Sequence, residues 1–257
     1  MNLDLPLILT LAVFVTGLIW LADKYYFAPK RVADGVEKAN MVLDFGRSFF
    51  PPLLLVWFIR AFLGQAFIVP TGSLEPTIVP VEFVLVKQYA YGLRLPVLHY
   101  KLAKWREPKV GEIAVFRWPV NTHVNFIKRV IGTPGDHVQY KDKVLYINGV
   151  KATQRFIRSA EDIEPSGNMP VQEFEENING VKHRIYRMAS GGQDSDFDLI
   201  VPPHHYFMMG DNRDDSDDSR GWGFVPESNL IGQGAWIVLS WDSTNYRIRW
   251  QRMGTAL

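Results

Sequence analysis

The sequence predicts a mainly β protein: a β-rich outer domain carried on two N-terminal transmembrane helices. Three observations predict it. Two long apolar runs open the chain, basic side chains gather between them, and from Phe67 onward the pattern changes to short alternating runs broken by turn residues.

The first run, Leu5 to Ala22, holds 18 residues without a charge. At the helical rise of ~1.5 Å per residue it is about 27 Å long, enough for a bilayer core of roughly 30 Å. A cleaved leader is the competing reading, but no Lys or Arg precedes the run and no small-x-small site follows it. The second run, Phe49 to Val69, carries Pro51 and Pro52 near its start and Arg60 and Gln65 inside it. A helix starting near Phe45 and ending soon after Arg60, whose side chain snorkels to the interface, is the economical solution. A buried core helix is the alternative. Lys24, Lys30, Arg31, Lys38 and Arg47 lie between the runs, so the positive-inside rule makes that loop cytoplasmic and everything after the second helix external.

In the remainder, Phe83–Val86, Ile113–Phe116 and Ala235–Leu239 read as strands. Thr133-Pro134-Gly135-Asp136 fits a type II turn, and Val144–Ile147 running into Asn148-Gly149 is a strong hairpin signal. Ile-Asn-Gly-Val-Lys occurs at 147–151 and again at 178–182, which shared turn chemistry explains as well as a duplication does. Residues 155–200 are more polar, with loop-like stretches at 161–167 and 190–194. The expected organisation is therefore 1–22 and 49–64 as transmembrane helices, 23–48 as cytoplasmic loop, 65–140 with 204–257 as β core, and 141–203 as an inserted hairpin-rich lobe.

The bulk numbers narrow the function. At 257 residues, 47% of them hydrophobic, the chain can bury a sizeable core. A formal net charge of +1 predicts no nucleic-acid partner. The lack of Cys removes thiol catalysis and Cys-ligated zinc, so a nucleophile must come from Ser, Thr, Lys or a carboxylate.

Three segments carry chemistry. In Val69-Pro70-Thr71-Gly72-Ser73-Leu74-Glu75-Pro76-Thr77, two prolines and a glycine stiffen the backbone around one serine, as a preorganised nucleophile requires, although a plain surface loop has the same composition. In Val124–Gly132, strand alternation sets Lys128 on the face of Val124, Phe126 and Val130, where desolvation disfavours its charged form. A free lysine has a pKa of ~10.4, and lowering it by one pH unit takes ~1.36 kcal/mol. A lysine snorkelling at a sheet edge is the other reading. The third segment, Met208–Gly223, is acidic, but its spacing fails the EF-hand pattern, and a turn-rich loop tied by Asp–Arg pairs fits it better.

Together these segments resemble the type I signal peptidase family. The motifs are Ser73-Leu74-Glu75-Pro76-Thr77, then Lys128-Arg129 leading to Gly132-Thr133-Pro134-Gly135-Asp136, then Gly210-Asp211-Asn212 through Ser216, Asp218, Ser219 and Arg220. The resemblance implies a signal-peptidase/LexA-like β fold, with Ser73 as nucleophile and Lys128 as general base. It implies an oxyanion hole from Thr71 and the Ser73 amide, Ser216 orienting the lysine, and Asp218 with Arg220 as structural support. Phe67, Val69, Pro70, Leu74, Val84, Val115, Phe126 and Ile127 are the implied substrate-binding residues, for small side chains of the Ala-x-Ala type. Signal peptides of exported preproteins and membrane lipid are the implied partners, with no metal or organic cofactor. The implied setting is a monomer near the export translocon of a bacterial plasma membrane, its catalytic domain on the outer face. Two departures stand out: Leu74 where the family commonly has Met, and Pro80-Val81 where it has Gly-Asp.

Two rivals remain at this level. A Ser-His-Asp triad would draw on His99, His123, His137, His183, His204 or His205, and a catalytically silent tethered domain would need none of these groups.

Overall fold

A computed structural model describes residues 5–35, 40–94, 101–103, 106–163, 169–188, 192 and 196–257. The chain divides into two compact units, Met1–Gly64 with Leu93–Ala103, and Gln65–Gly92 with Lys104–Leu257.

The first unit is a helical pair. Helix α1, Leu5–Ala22, continues through a π-helical turn, Asp23–Phe27, into α2, Ala28–Ala33, while α3, Met41–Phe58, continues through a second π turn to Leu63. The resulting helices, Pro6–Ala33 and Met41–Leu63, are long and apolar enough to cross a membrane. Both extend beyond the lengths expected from sequence. Lys24, Lys30, Arg31 and Arg47, expected on a loop, are helical, and Lys38 lies outside the described residues. Asp23 explains part of the extension, because it is buried and paired with Arg31 at 2.6 Å and Arg47 at 3.6 Å. The second helix starts early because the Asn40 side chain accepts the Val42 amide at 3.3 Å, an N-cap that leaves Pro51 and Pro52 in the helix interior. Gly46 lets the two helices close, since a Cβ there would meet the Ile19 side chain at 2.4 Å. The Trp57 indole donates to Thr10 Oγ1 at 3.0 Å.

The strands, in chain order, are β1 (Gly64–Val69), β2 (Glu82–Lys87), β3 (Leu93–Arg94), β4 (Lys101–Ala103), β5 (Ile113–Arg117), β6 (Asn125–Gly132), β7 (His137–Lys141), β8 (Val144–Ile147) and β9 (Val150–Lys151). They continue as β10 (Thr153–Glu161), β11 (Pro170–Ile178), β12 (Val181–Met188), β13 (Phe197–Ile200), β14 (His205–Met209), β15 (Val225–Pro226), β16 (Leu230–Asp242) and β17 (Arg247–Ile248), with a one-turn helix α4, Ser219–Trp222, before β15.

The principal sheet has the order β1-β2-β16-β5-β6-β14-β15, with β17 added to β16. The long strand β16 passes between β2 and β5, which sequence order alone does not suggest. Strand β6 lies between β5 and β14, with Ala114 opposite Lys128 and Met208 opposite Val130. Lys128 is thus on an interior strand, which removes the sheet-edge reading. A second sheet, β13-β7-β8-β9, straddles position 141, and β10-β11-β12 form a third. Short β3 and β4 pair with each other.

The turns follow their residues. The Asp136 amide donates to the Thr133 carbonyl at 2.9 Å with Gly135 at φ +89°, closing the expected turn. Both Asn-Gly pairs, at 148–149 and 179–180, have positive φ throughout, as a type I′ hairpin turn requires. Shared turn chemistry thus accounts for the repeated pentapeptide.

Candidate active site

Ser73 sits in a tight turn between β1 and β2. The Glu75 amide donates to the Gly72 carbonyl at 2.8 Å and Ile78 to Leu74 at 3.0 Å, so the backbone curls around the serine. From outside the turn, the Asn212 amide donates to the Ser73 carbonyl at 3.1 Å. Leu74, fully buried, anchors the turn in an apolar cluster with Val69, Ile78, Val84, Val86, Ile113 and Val115, against which Phe67 and Ile127 pack. Six of the eight expected substrate-binding residues therefore share one cluster beside the serine. Pro70 is exposed at the turn, and Phe126, on the opposite face of β6 from Ile127, packs against Phe116, Trp118 and Trp222.

Lys128 projects from β6 to the same point. Its Nζ lies 2.5 Å from Ser73 Oγ and 5.7 Å from the centre of the Phe126 ring, and the residue is 4% exposed. Burial pulls its amine down to about 8. Asp218, Asp217 and Asp211 oppose that change, whereas Arg220 reinforces it. With its pKa at about 8, roughly a tenth of the molecules hold this lysine neutral at pH 7, against fewer than about one in a thousand for a free lysine, and a neutral amine beside a hydroxyl can take its proton. Thr71 Oγ1 is 3.4 Å from Ser73 Oγ, on the exposed rim of the turn.

The loop after β14 closes the site from below. Arg220 grips Asp218 with two bonds of 2.8 Å, and Asp218 Oδ2 also accepts the Gly210 amide at 3.0 Å. Burial alone would raise the Asp218 carboxyl, but its Arg220 partner outweighs that and holds it below the usual carboxylate range. Ser216 is buried without a hydrogen-bond partner among the described residues, so the expected bond to Lys128 is not formed, the amine being directed at Ser73 instead. Gly210 is what lets these parts meet. A Cβ there would lie 2.3 Å from both Ser216 Oγ and the Ser73 carbonyl oxygen.

Three contacts were not assigned from sequence. Arg129 forks onto Asp211 at 2.7 and 2.6 Å, and Thr77 Oγ1 donates to the same carboxylate at 2.5 Å. This joins all three motif segments through one buried carboxylate. Arg213 pairs with Glu176 of β11, both fully buried. Arg252, near the C-terminus, donates to the Thr77 carbonyl at 2.9 Å and pairs with Glu82. Thr77, Arg129, Asp211 and Arg213 were visible in the motif segments, whereas Glu82, Glu176 and Arg252 lie outside them, and separations such as the 82 positions between Arg129 and Asp211 gave no sign of the pairing.

The family described as "Signal peptidase, peptidase S26" matches residues 42–241, well over half of the chain. The chain belongs to the signal peptidase family, peptidase S26. Signal peptidase I of Pseudomonas fluorescens is 37% identical over 275 aligned positions, covering 94% of each chain, and that of Pseudomonas aeruginosa is 37% identical over 270, again covering 94% of each. A crystal structure of a signal peptidase I from Enterococcus faecalis V583 aligns with 30% identity and a TM-score of 0.32, over 50% of this chain and 97% of that one. Membership makes the chain a serine peptidase that cleaves signal peptides, and with its two apolar helices a membrane-anchored one. Among the described residues, Ser73 Oγ is hydrogen-bonded to Lys128 and Thr71 and to no histidine. Among the described residues, His137 pairs with Asp198, His183 with Glu176 and His204 with Glu227, while His205 contacts the Pro203 carbonyl. His99 lies outside the described residues.

Proposed function

We propose that this signal peptidase works by a Ser73/Lys128 dyad through an acyl-enzyme, cleaving after small residues of the Ala-x-Ala type. The observation that carries the reading is the buried lysine amine 2.5 Å from the serine hydroxyl, its proton affinity lowered by burial. Neutral Lys128 accepts the Ser73 proton as Oγ attacks the scissile carbonyl, and the ammonium then protonates the leaving amine. The Ser73 amide and the Thr71 hydroxyl donate to the oxyanion. A water deprotonated by the same amine releases the acyl group.

Ser216 has a place in this cycle. A buried hydroxyl without a partner calls for an explanation, and a lysine amine turned away from acylated Ser73 supplies one. The cluster of Phe67, Val69, Leu74, Val84, Val115 and Ile127 supports an apolar subsite for small side chains, with Pro70 and Phe126 flanking it. On this reading 65–140 with 204–257 form the catalytic core, 141–203 an added lobe, and the enzyme acts as a monomer near the translocon on the outer face of the plasma membrane. Lipid contact by Trp118 or Trp222 belongs to the same reading, and quenching of tryptophan fluorescence by brominated lipid tests it.

The deciding assay compares cleavage of a preprotein in detergent by the wild type, Ser73→Ala and Lys128→Met. Both variants are expected to be inactive. Equal processing by all three would remove the dyad.

A further inference from the structure

The stretch after β9 has no assigned role in the reaction, yet it reaches the nucleophile turn at two places, once directly and once through the loop after β14. The first is Glu75, two residues after Ser73. It is 1% exposed, and its Oε2 accepts the Ile163 amide at 2.9 Å. Ile163 follows β10, at the mouth of the β10–β11 connection. That mouth is itself fixed: the Asp162 amide donates to the Met169 carbonyl at 3.1 Å, and the Met169 amide donates to Asp162 Oδ1 at 2.6 Å. Glu75 therefore grips a structured point on the lobe. Its charge also reaches Tyr186 of β12, whose hydroxyl is pushed up to about 12, first by burial and then by the carboxylates of Glu173 and Glu75.

The second contact is backbone. The Tyr186 amide donates to the Asp211 carbonyl and the Arg213 amide to the Tyr186 carbonyl, both at 2.9 Å. The residue between them, Asn212, holds the Ser73 carbonyl. The peptide on one side of the nucleophile is thus tied to β12, and the residue two further on is tied to the end of β10. A buried carboxylate costs several kcal/mol unless bonded, so a hydrophobic residue at 75 would be the cheaper filler if packing were its whole purpose.

We infer that Glu75 is a positioning residue, clamping the Ser73 turn to the Ile163 amide so that the β10–β12 lobe holds the nucleophile and its oxyanion-binding amide in attacking geometry. The inference rests on the dyad reading and adds the lobe to the catalytic apparatus. Because Glu75 acts on the placement of Ser73 and touches no substrate, its loss lowers kcat and leaves KM nearly alone.

The test uses the full-length enzyme in detergent and a synthetic signal-peptide substrate, at a temperature well below each variant's unfolding midpoint. Glu75→Ala removes the acceptor, Ile163→Pro removes the donor, and Glu75→Gln keeps an acceptor oxygen without the charge. The first two are each expected to lower kcat roughly tenfold to a hundredfold, the scale of a small misplacement of reacting groups. KM should stay within about twofold, and Glu75→Gln should recover most of the rate. Combining Glu75→Ala with Ile163→Pro should cost no more than the worse single change, because both delete one bond. The inference is overturned if Glu75→Ala turns over like wild type, if Gln is as poor as Ala, or if the two losses multiply. Should Glu75→Ala fail to fold, Ile163→Pro against Glu75→Gln decides. A Ser73→Ala control separates the two levels. Cleavage by that control sinks the dyad itself, whereas a dead control beside a fully active Glu75→Ala sinks the clamp alone.

Discussion

Lys128 reaches Ser73 across 55 positions of sequence, its Nζ 2.5 Å from the serine Oγ. The contact forms because β6 is an interior strand whose lysine face is apolar, while the Ser73 turn is held over it by the Asn212 amide. Under the proposed dyad mechanism, their pairing in a dry site sets how the enzyme should respond to pH.

Acylation should accelerate as Lys128 loses its proton. Since burial brings that proton off near pH 8, the acylation rate should rise about tenfold per pH unit below it and level off above. Single-turnover acylation measured from pH 5 to 10 checks this. A rate flat across that range would be incompatible with the amine as base.

The lowered lysine also carries a stability cost with a definite sign. The unfolded lysine titrates near 10.5 and the folded one near 8, so between these values the unfolded state binds more protons and stability rises with pH. Below pH 8 the folded protein bears the whole penalty of a buried ammonium, at most roughly 3 kcal/mol. Lys128→Met should therefore be more stable than wild type at pH 6, with the gap closing between pH 8 and 10.5. Denaturant melts at several pH values would show it.

Asp218→Ala should both destabilise and inactivate. It strips Arg220 of its partner in a nearly dry site and removes the acceptor of the Gly210 amide. Breaking a buried pair from one side costs about 3–5 kcal/mol. The unfolding midpoint and the residual cleavage rate report the two effects separately.

Gly210→Ala is a sharper probe of the site alone. The added methyl would collide with Ser216 Oγ and with the Ser73 carbonyl, which is backbone and cannot swing aside. A loss of kcat of about a hundredfold or more is expected, because the collision displaces the nucleophile directly. Steady-state kinetics on the purified variant measure it.

Val81→Gly should stabilise. Val81 has φ +65°, a conformation costly for a β-branched side chain. The strained backbone is held by the bond from the Val81 amide to the Val69 carbonyl at 2.8 Å. Relief of strain, less the entropy that glycine adds to the unfolded chain, should gain about 1 kcal/mol. Comparing thermal midpoints tests the sign.

Much of the molecule was legible in its residues alone. Asn148-Gly149 and Thr133–Asp136 make the turns their residues demand, because φ preferences are local. Helix ends were less legible. The expected stop at Ala22 and start near Phe45 gave way to continuation through Ala33 and a start at Met41, since buried pairing of Asp23 and capping by Asn40 outweighed composition. The proposed roles of Ser73 and Lys128 could be named, whereas the bond from the Asn212 amide to the Ser73 carbonyl, the hold of Asp211 on Arg129 and Thr77, and that of Glu75 on the Ile163 amide could not.

By itself the sequence determined the element types, the two apolar helices and the family, and it singled out the two groups proposed to react, all of which reside in local pattern and short motifs. Only the tertiary structure decided that β16 passes between β2 and β5, that β6 is interior, and that Arg129, Asp211 and Thr77 share one buried contact. The reason is physical. Which strands pair, and which charges meet, depends on the arrangement that buries every apolar face and satisfies every buried polar group together, and no short window of residues contains that information.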